Sequence, residues 1–209
     1  MHRWTRRALC LFALLLTASL VMAQAEFSAE IVDLHKADTP ATARIYFTKD
    51  KMRVEPTGAG GHGGGAVIVN FATQTSTILM TQQHMYMEMP AQSQSQRLGY
   101  AFFQADVVEN ACTYWQKSPH NQGGSCHKVG SESLNGRSTV KFETTNSSGD
   151  ISHFWLDAKL RFPVKWDGKN NGGELRNIQE GAQPASLFEV PAGFTKMQMP
   201  GGMMQMPQH

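Results

Sequence analysis

The sequence predicts a mostly β domain of the α+β class: one curled antiparallel sheet of about ten or eleven strands, with one or two helices laid on it. Two observations predict it. From Phe27 onward apolar and polar residues mostly alternate, which is the period of a strand with one buried face. The breaks between these runs are short and rich in Gly, Asn and Asp, which favours antiparallel neighbours. A sheet of that many strands must curl or split.

The runs follow in order. Phe27, Ala29 and Ile31 share one face, with Ser28 and Glu30 opposite. Ala43, Ile45 and Phe47 alternate with Arg44 and Tyr46, and Met52 and Val54 alternate with Arg53 and Glu55. Asp50-Lys51 marks a tight hairpin between these two runs. Ala66–Phe71 and Thr75–Met80 form another pair around Thr73-Gln74, and Met85, Met87 and Met89 alternate with Tyr86 and Glu88. Lys128–Leu134 and Ser138–Thr145 flank Asn135-Gly136, the strongest short hairpin signal in the chain. Ile151–Asp157, Pro163–Trp166 and Leu175–Gln179 complete a meander. Two stretches change period. Gln92–Glu109 reads as a helix, since Leu98, Phe102, Ala105 and Val108 lie three and four apart. Ala182–Phe188 reads as a short helical turn before Val190-Pro191. Gly58–Gly65 is a glycine-rich loop.

The first 25 residues are set aside as a signal peptide. Arg3, Arg6 and Arg7 precede an apolar run from Ala8 to Met22, and Ala23-Gln24-Ala25 is a small-x-small cleavage site. The apolar run is shorter than the ~20 residues a spanning helix needs, so no stable membrane insertion is expected. Residues 26–195 form the domain. Residues 196–209 are a tail of Met, Gln, Pro and Gly without an apolar period. Without the leader's three arginines, 16 of the 19 Lys+Arg remain against 17 Asp+Glu. Nothing global attracts nucleic acid. Cys112 and Cys126 remain as an even pair in an exported chain, which reads as a disulfide.

Several motifs dissolve on inspection. Gly58, Gly60 and Gly63 match G-x-G-x-x-G, but a strand follows where a dinucleotide site needs a helix. His62-Gly63-Gly64-Gly65 has no G-x-S-x-G elbow to serve. The histidines lack metal-ligand spacing, and nothing selects Glu88 with Asp157 as a glycosidase pair. No nucleophile with a partnered base is visible, so no enzyme activity and no cofactor are expected. Methionine supplies one alternative function. Met197, Met199, Met203, Met204, Met206 and His209 crowd the tail, and thioethers are soft ligands suited to Cu(I) or Ag(I). A ligand-free structural or interaction module of the cell envelope is another.

The order of several short motifs resembles a known family. Phe27-Ser28-Ala29-Glu30-Ile31 leads into Arg44-Ile45-Tyr46-Phe47 and Lys51-Met52-Arg53-Val54-Glu55. Thr77-Ile78-Leu79-Met80 and His84-Met85-Tyr86-Met87 follow. Then come Gly136-Arg137-Ser138-Thr139-Val140-Lys141-Phe142-Glu143, Phe154-Trp155-Leu156-Asp157, Phe162-Pro163-Val164-Lys165, and a closing Leu187-Phe188-Glu189-Val190-Pro191-Ala192-Gly193-Phe194. Together they resemble the bacterial outer-membrane lipoprotein carrier (LolA/LolB-like) superfamily, in a secreted subgroup of unknown function. The resemblance implies an unclosed β-barrel whose open side is covered by helices, with an apolar cavity between them that holds acyl chains. It implies a periplasmic or secreted binding protein, here expected as a monomer, with a lipid or acyl-chain ligand and a place for an envelope protein partner. By alternation the lining candidates are Ile45, Phe47, Met52, Val54, Met85, Met87, Phe154, Leu156 and Trp166, with Leu98 and Phe102 on the lid candidate Gln92–Glu109. The disulfide loop after a single helix candidate and the Met-rich tail depart from the carrier pattern.

Overall fold

The structure, a computed structural model, describes residues 25–36, 40–57, 65–90, 106–118 and 121–197. The alternating runs form strands where alternation places them. β1 spans Phe27–Asp33, β2 Ala43–Phe47, β3 Lys51–Pro56, β4 Ala66–Asn70, β5 Thr75–Met80 and β6 Met85–Pro90. After helix α1, Val107–Lys117, come β7 Ser125–Leu134, β8 Arg137–Thr145, β9 Ile151–Asp157, β10 Phe162–Gly168, β11 Gly172–Glu180 and β12 Thr195–Lys196. All twelve strands belong to one curved, unclosed sheet in the order β12-β6-β5-β4-β3-β2-β1-β11-β10-β9-β8-β7.

The topology is two meanders joined edge to edge. Each hairpin pairs sequence neighbours, as short connections dictate. Among the described residues the single long-range antiparallel join is β1 with β11, with Phe27 opposite Glu180 and Asp33 opposite Gly173. The β7–β8 turn is built as its sequence demands: Asn135 and Gly136 both have positive φ, 51° and 76°, the geometry of a two-residue hairpin turn.

Two features depart from the sequence reading. The described helix, Val107–Lys117, overlaps the end of the Gln92–Glu109 candidate and runs past it; residues 92–105 of that candidate fall outside the described residues. The helical period continues past Glu109 through Ala111, Cys112 and Trp115, so Cys112 sits on the helix and not in a loop after it. The second departure is β12, a two-residue strand parallel to β6, with Thr195 beside Met85. The chain reaches it over the outer face of the first meander. The 3-10 turn Ala185–Phe188 buries Phe188 against Ala66, Ile68 and Leu79, and Arg53 Nη1 donates to the Leu187 carbonyl at 2.8 Å.

Charges brace the open ends of the second meander. Asp157, at the end of β9, is 1 % exposed. It accepts from the Arg137 guanidinium and from the backbone N–H groups of Lys159 and Leu160 at 2.8 and 2.7 Å. Arg137 Nη2 also reaches Glu180 at 2.8 Å, and Lys159 pairs with Glu180. Hydrogen bonds from Lys159 and then Arg137 hold the Glu180 carboxyl below its ordinary value of 4.5. A depressed acid adds stability that is present above its unfolded value and lost as pH falls through the folded one. Glu180→Gln is therefore expected to lower the thermal midpoint slightly near neutral pH, by the ~0.2–1 kcal/mol of an exposed pair. The variant and the parent should converge as pH falls through the lowered folded value of Glu180. Melting curves recorded between pH 3 and 7 check this, and parallel curves at every pH would refute it.

Candidate functional site

Directly opposed residues on adjacent strands point to the same face. The registers therefore define rows. Across β1 to β6, Ala29, Ile45, Val54, Val67, Ile78 and Met87 lie side by side. One pleat away runs Phe27, Phe47, Met52, Val69, Ser76 and Met89. At the far end of β5 and β6, Met80 faces Met85. This is the inner face of the first meander. Tyr46, Ala66, Ile68, Leu79 and Tyr86 point to the outer face, under the strap that carries Phe188.

The inner face is filled unevenly. Phe27, Phe47, Met52 and Val69 are buried in the main core. Phe27 stacks on Phe47 with ring centroids 5.3 Å apart, and Phe162 closes on both at 5.5 and 5.3 Å. Toward β6 the filling by described residues stops. Ile78, Met80, Met85, Met87 and Met89 are only half-buried and belong to none of the packed clusters among the described residues. They form a continuous, thioether-rich apolar surface along the β5–β6 seam.

The inner face of the second meander is covered by α1. The row Phe142, Phe154, Trp166, Gly173 and Asp33 ties it to the same face of β1. Phe142 and Phe154 stack at 5.0 Å. Val107 and Ala111 of α1 are buried against them with Val140 and Leu156. Trp166 touches both clusters. Its indole lies across Gly173, where an added Cβ would overlap the ring, so glycine is required there. α1 is held at its start and at its middle. At its start the Asp106 carboxylate accepts from Tyr114 Oη at 2.7 Å and Asn110 Nδ2 at 2.8 Å. The Tyr114 hydroxyl lowers the Asp106 pKa, and Asp106 raises that of Tyr114. Further along, Cys112 is bonded to Cys126 on β7, with Cα atoms 5.2 Å apart.

The lining candidates thus separate. Ile45, Phe47 and Met52 are buried core, and Val54 packs against that core. Phe154, Leu156 and Trp166 lie beneath α1. Met85 and Met87 lie on the half-buried surface. Leu98 and Phe102 fall outside the described residues, as do Met199, Met203, Met204, Met206 and His209. Met197 is described: its N–H donates to the Tyr86 carbonyl at 2.7 Å and continues the β12 pairing. Val67, Ile78, Met80 and Met89 were absent from the candidates. The alternation of Thr75–Met80 was visible in sequence, but only the register places Ile78 between Val67 and Met87. His153 lies beside Trp155, 6.0 Å between centroids, and bonds Glu143 at 3.0 Å. Among the described residues no group of three or more His, Cys, Asp or Glu is placed to hold a metal ion.

A curved, unclosed antiparallel sheet with a helix on its inner face defines the class, and it is the architecture that the motif order implied. Residues 31–194 match the family described as Domain of unknown function (DUF4412), and the chain belongs to that family. No curated protein matches it in sequence. Among solved structures the chain is similar to an uncharacterized conserved protein from Thermus thermophilus, with 10% identity and a TM-score of 0.53. That likeness covers 84% of this chain and 91% of the other. It is also similar to the MucA/MucB complex structure of Pseudomonas aeruginosa, at 14% identity and a TM-score of 0.47, covering 82% of this chain and 58% of that one. A LolA superfamily protein from Nitrosomonas europaea aligns at 10% identity and a TM-score of 0.30, covering 79% and 88%.

Proposed function

We propose that this is an exported, periplasmic binding protein that holds a lipid or other apolar ligand on the inner face of the curved sheet, without covalent chemistry. The observation that carries the reading is the half-buried row along β5 and β6, continuous with the core yet part of none of the clusters among the described residues. A binding face must be apolar, adaptable and stable when empty. Methionine, flexible and polarizable, suits all three needs. Export is supported by the leader-like first 25 residues and by a disulfide, which persists in oxidising compartments. Affinity would come from removing acyl surface from water at about 25 cal/mol per Å², less the cost of association.

The test is native mass spectrometry of the processed protein from its own compartment, followed by organic extraction. A stoichiometric lipid is the expected result. An empty protein that also fails to take up the hydrocarbon probe diphenylhexatriene would overturn the reading. Met87→Lys places an ammonium on the row and should weaken diphenylhexatriene uptake at least about tenfold, since an unpaired charge resists apolar surroundings. Its cost in stability should stay within about 1 kcal/mol, because the position is only half-buried. Unchanged uptake in that variant would place the ligand elsewhere.

A further inference from the structure

Ser76 is out of place in its row. It sits on β5 between Val69 and Met89, and the other five members of the row are apolar. Its exposure is 0 %, yet its hydroxyl has no hydrogen-bond partner among the described residues. The remaining buried hydroxyls all have one. Thr48 Oγ1 donates to Asp50 at 3.1 Å, Thr139 Oγ1 to the Glu132 carbonyl at 2.9 Å, and Thr144 Oγ1 to the Ser152 carbonyl at 3.3 Å. Burying a hydroxyl without a partner is unfavourable, and valine or alanine would suit an apolar strand position better. A buried hydroxyl without a partner among the described residues, at the edge of the half-buried surface, is poised for a group the ligand brings.

We propose that Ser76 Oγ donates a hydrogen bond to the uncharged polar end of an acyl ligand, an ester carbonyl, whose chain lies along the β5–β6 seam. The inference rests on the lipid-binding reading of this face and sharpens its ligand class. The chain would run from Ser76 and Met89 past Ile78 and Met87 to Met80 and Met85, a path of roughly 13 Å at the rise of a strand. An ester is favoured over a free carboxylate because neither row carries a basic residue. A buried anion there would have no counter-charge among the described residues of these rows.

The experiment uses two probes on the processed protein: diphenylhexatriene, a hydrocarbon without polar atoms, and methyl oleate, which competes for it. Ser76→Ala should weaken methyl oleate about tenfold, the worth of one well-made hydrogen bond, and leave diphenylhexatriene unchanged. Ser76→Thr keeps the hydroxyl and should retain most of the methyl oleate affinity. Equal methyl oleate affinity in Ser76→Ala and the parent, with diphenylhexatriene still bound, would overturn the Ser76 contact and spare the lipid face. A parallel loss of both probes in Ser76→Ala would assign the residue to packing and overturn the contact as well. If neither probe binds the parent protein, the lipid face itself falls.

Discussion

Phe47→Ala is expected to destabilise the fold by about 3–5 kcal/mol, the usual cost of emptying a buried phenylalanine site. Phe47 is fully buried and meets the rings of Phe27, Phe71 and Phe162 at once. These rings come from β1, from the end of β4 and from β10, so the cavity would open where the two meanders meet. The neighbours cannot collapse into it easily, because each is tied to a different strand. Chemical denaturation of the parent and the variant measures the difference. The same experiment on Met87→Ala should show about 1 kcal/mol or less, because the half-buried side chain leaves no closed cavity behind. Equal losses at the two positions would mean that the β5–β6 seam is packed core, and the binding-face reading would lose its basis.

The second large effect is at the disulfide. Replacing Cys112 and Cys126 together by serine, or reducing the bond, should cost about 3 kcal/mol by the chain-entropy argument for a loop of this length. The loss should also be local in character. Cys112 lies on the buried side of α1, and Cys126 on the edge strand β7. Without the bond α1 keeps, among the described residues, its apolar contacts with Val140, Phe142, Phe154 and Leu156, the Asp106 brace at its start and the hydrogen bond from Asn121 Nδ2 to the Trp115 carbonyl. Amide exchange should therefore quicken in α1 and β7 while β1–β5 remain protected. Thermal melts with and without reductant check the magnitude. A reductant-insensitive midpoint would show that apolar packing alone holds the helix on the sheet.

Eleven of the strands were legible because a half-buried strand writes its period into the residues. The Asn135-Gly136 turn was legible for a different reason, since few residues other than these tolerate two successive positive φ values. The Cys112–Cys126 pairing followed from a count of two. The short strand β12 was not legible. Two residues carry no period, and Thr195 and Lys196 are strand only because β6 offers an unpaired edge. Of the helix candidate Gln92–Glu109 only residues 106–109 are described; the helix they open runs on to Lys117 because tertiary contacts through Val107, Ala111 and Cys112 stabilise it, and such contacts leave little trace in local spacing.

The candidate face divides in the same way. Alternation identified Met85 and Met87 as facing one way, and Ile45, Phe47 and Met52 as facing one way. It could not say that both sets face the same way, because side-chain direction along a strand is local whereas register between strands is not. Nor could it separate core from lining, since both are apolar and both alternate. Ser76 shows the limit most clearly: a serine among strand residues looks like a solvent-facing position until its neighbours across the sheet, Val69 and Met89, are known. The amino-acid sequence by itself determined the strands, their tight turns, the disulfide pairing and the apolar character of the inner residues, because each depends on near neighbours or on composition. Only the tertiary structure decided that β1 joins β11, that α1 fills one half of the inner face, and that the other half ends in a half-buried methionine row with one unpartnered hydroxyl beside it. Those features depend on contacts between residues far apart in the chain, whose energy exists only once the sheet has curled.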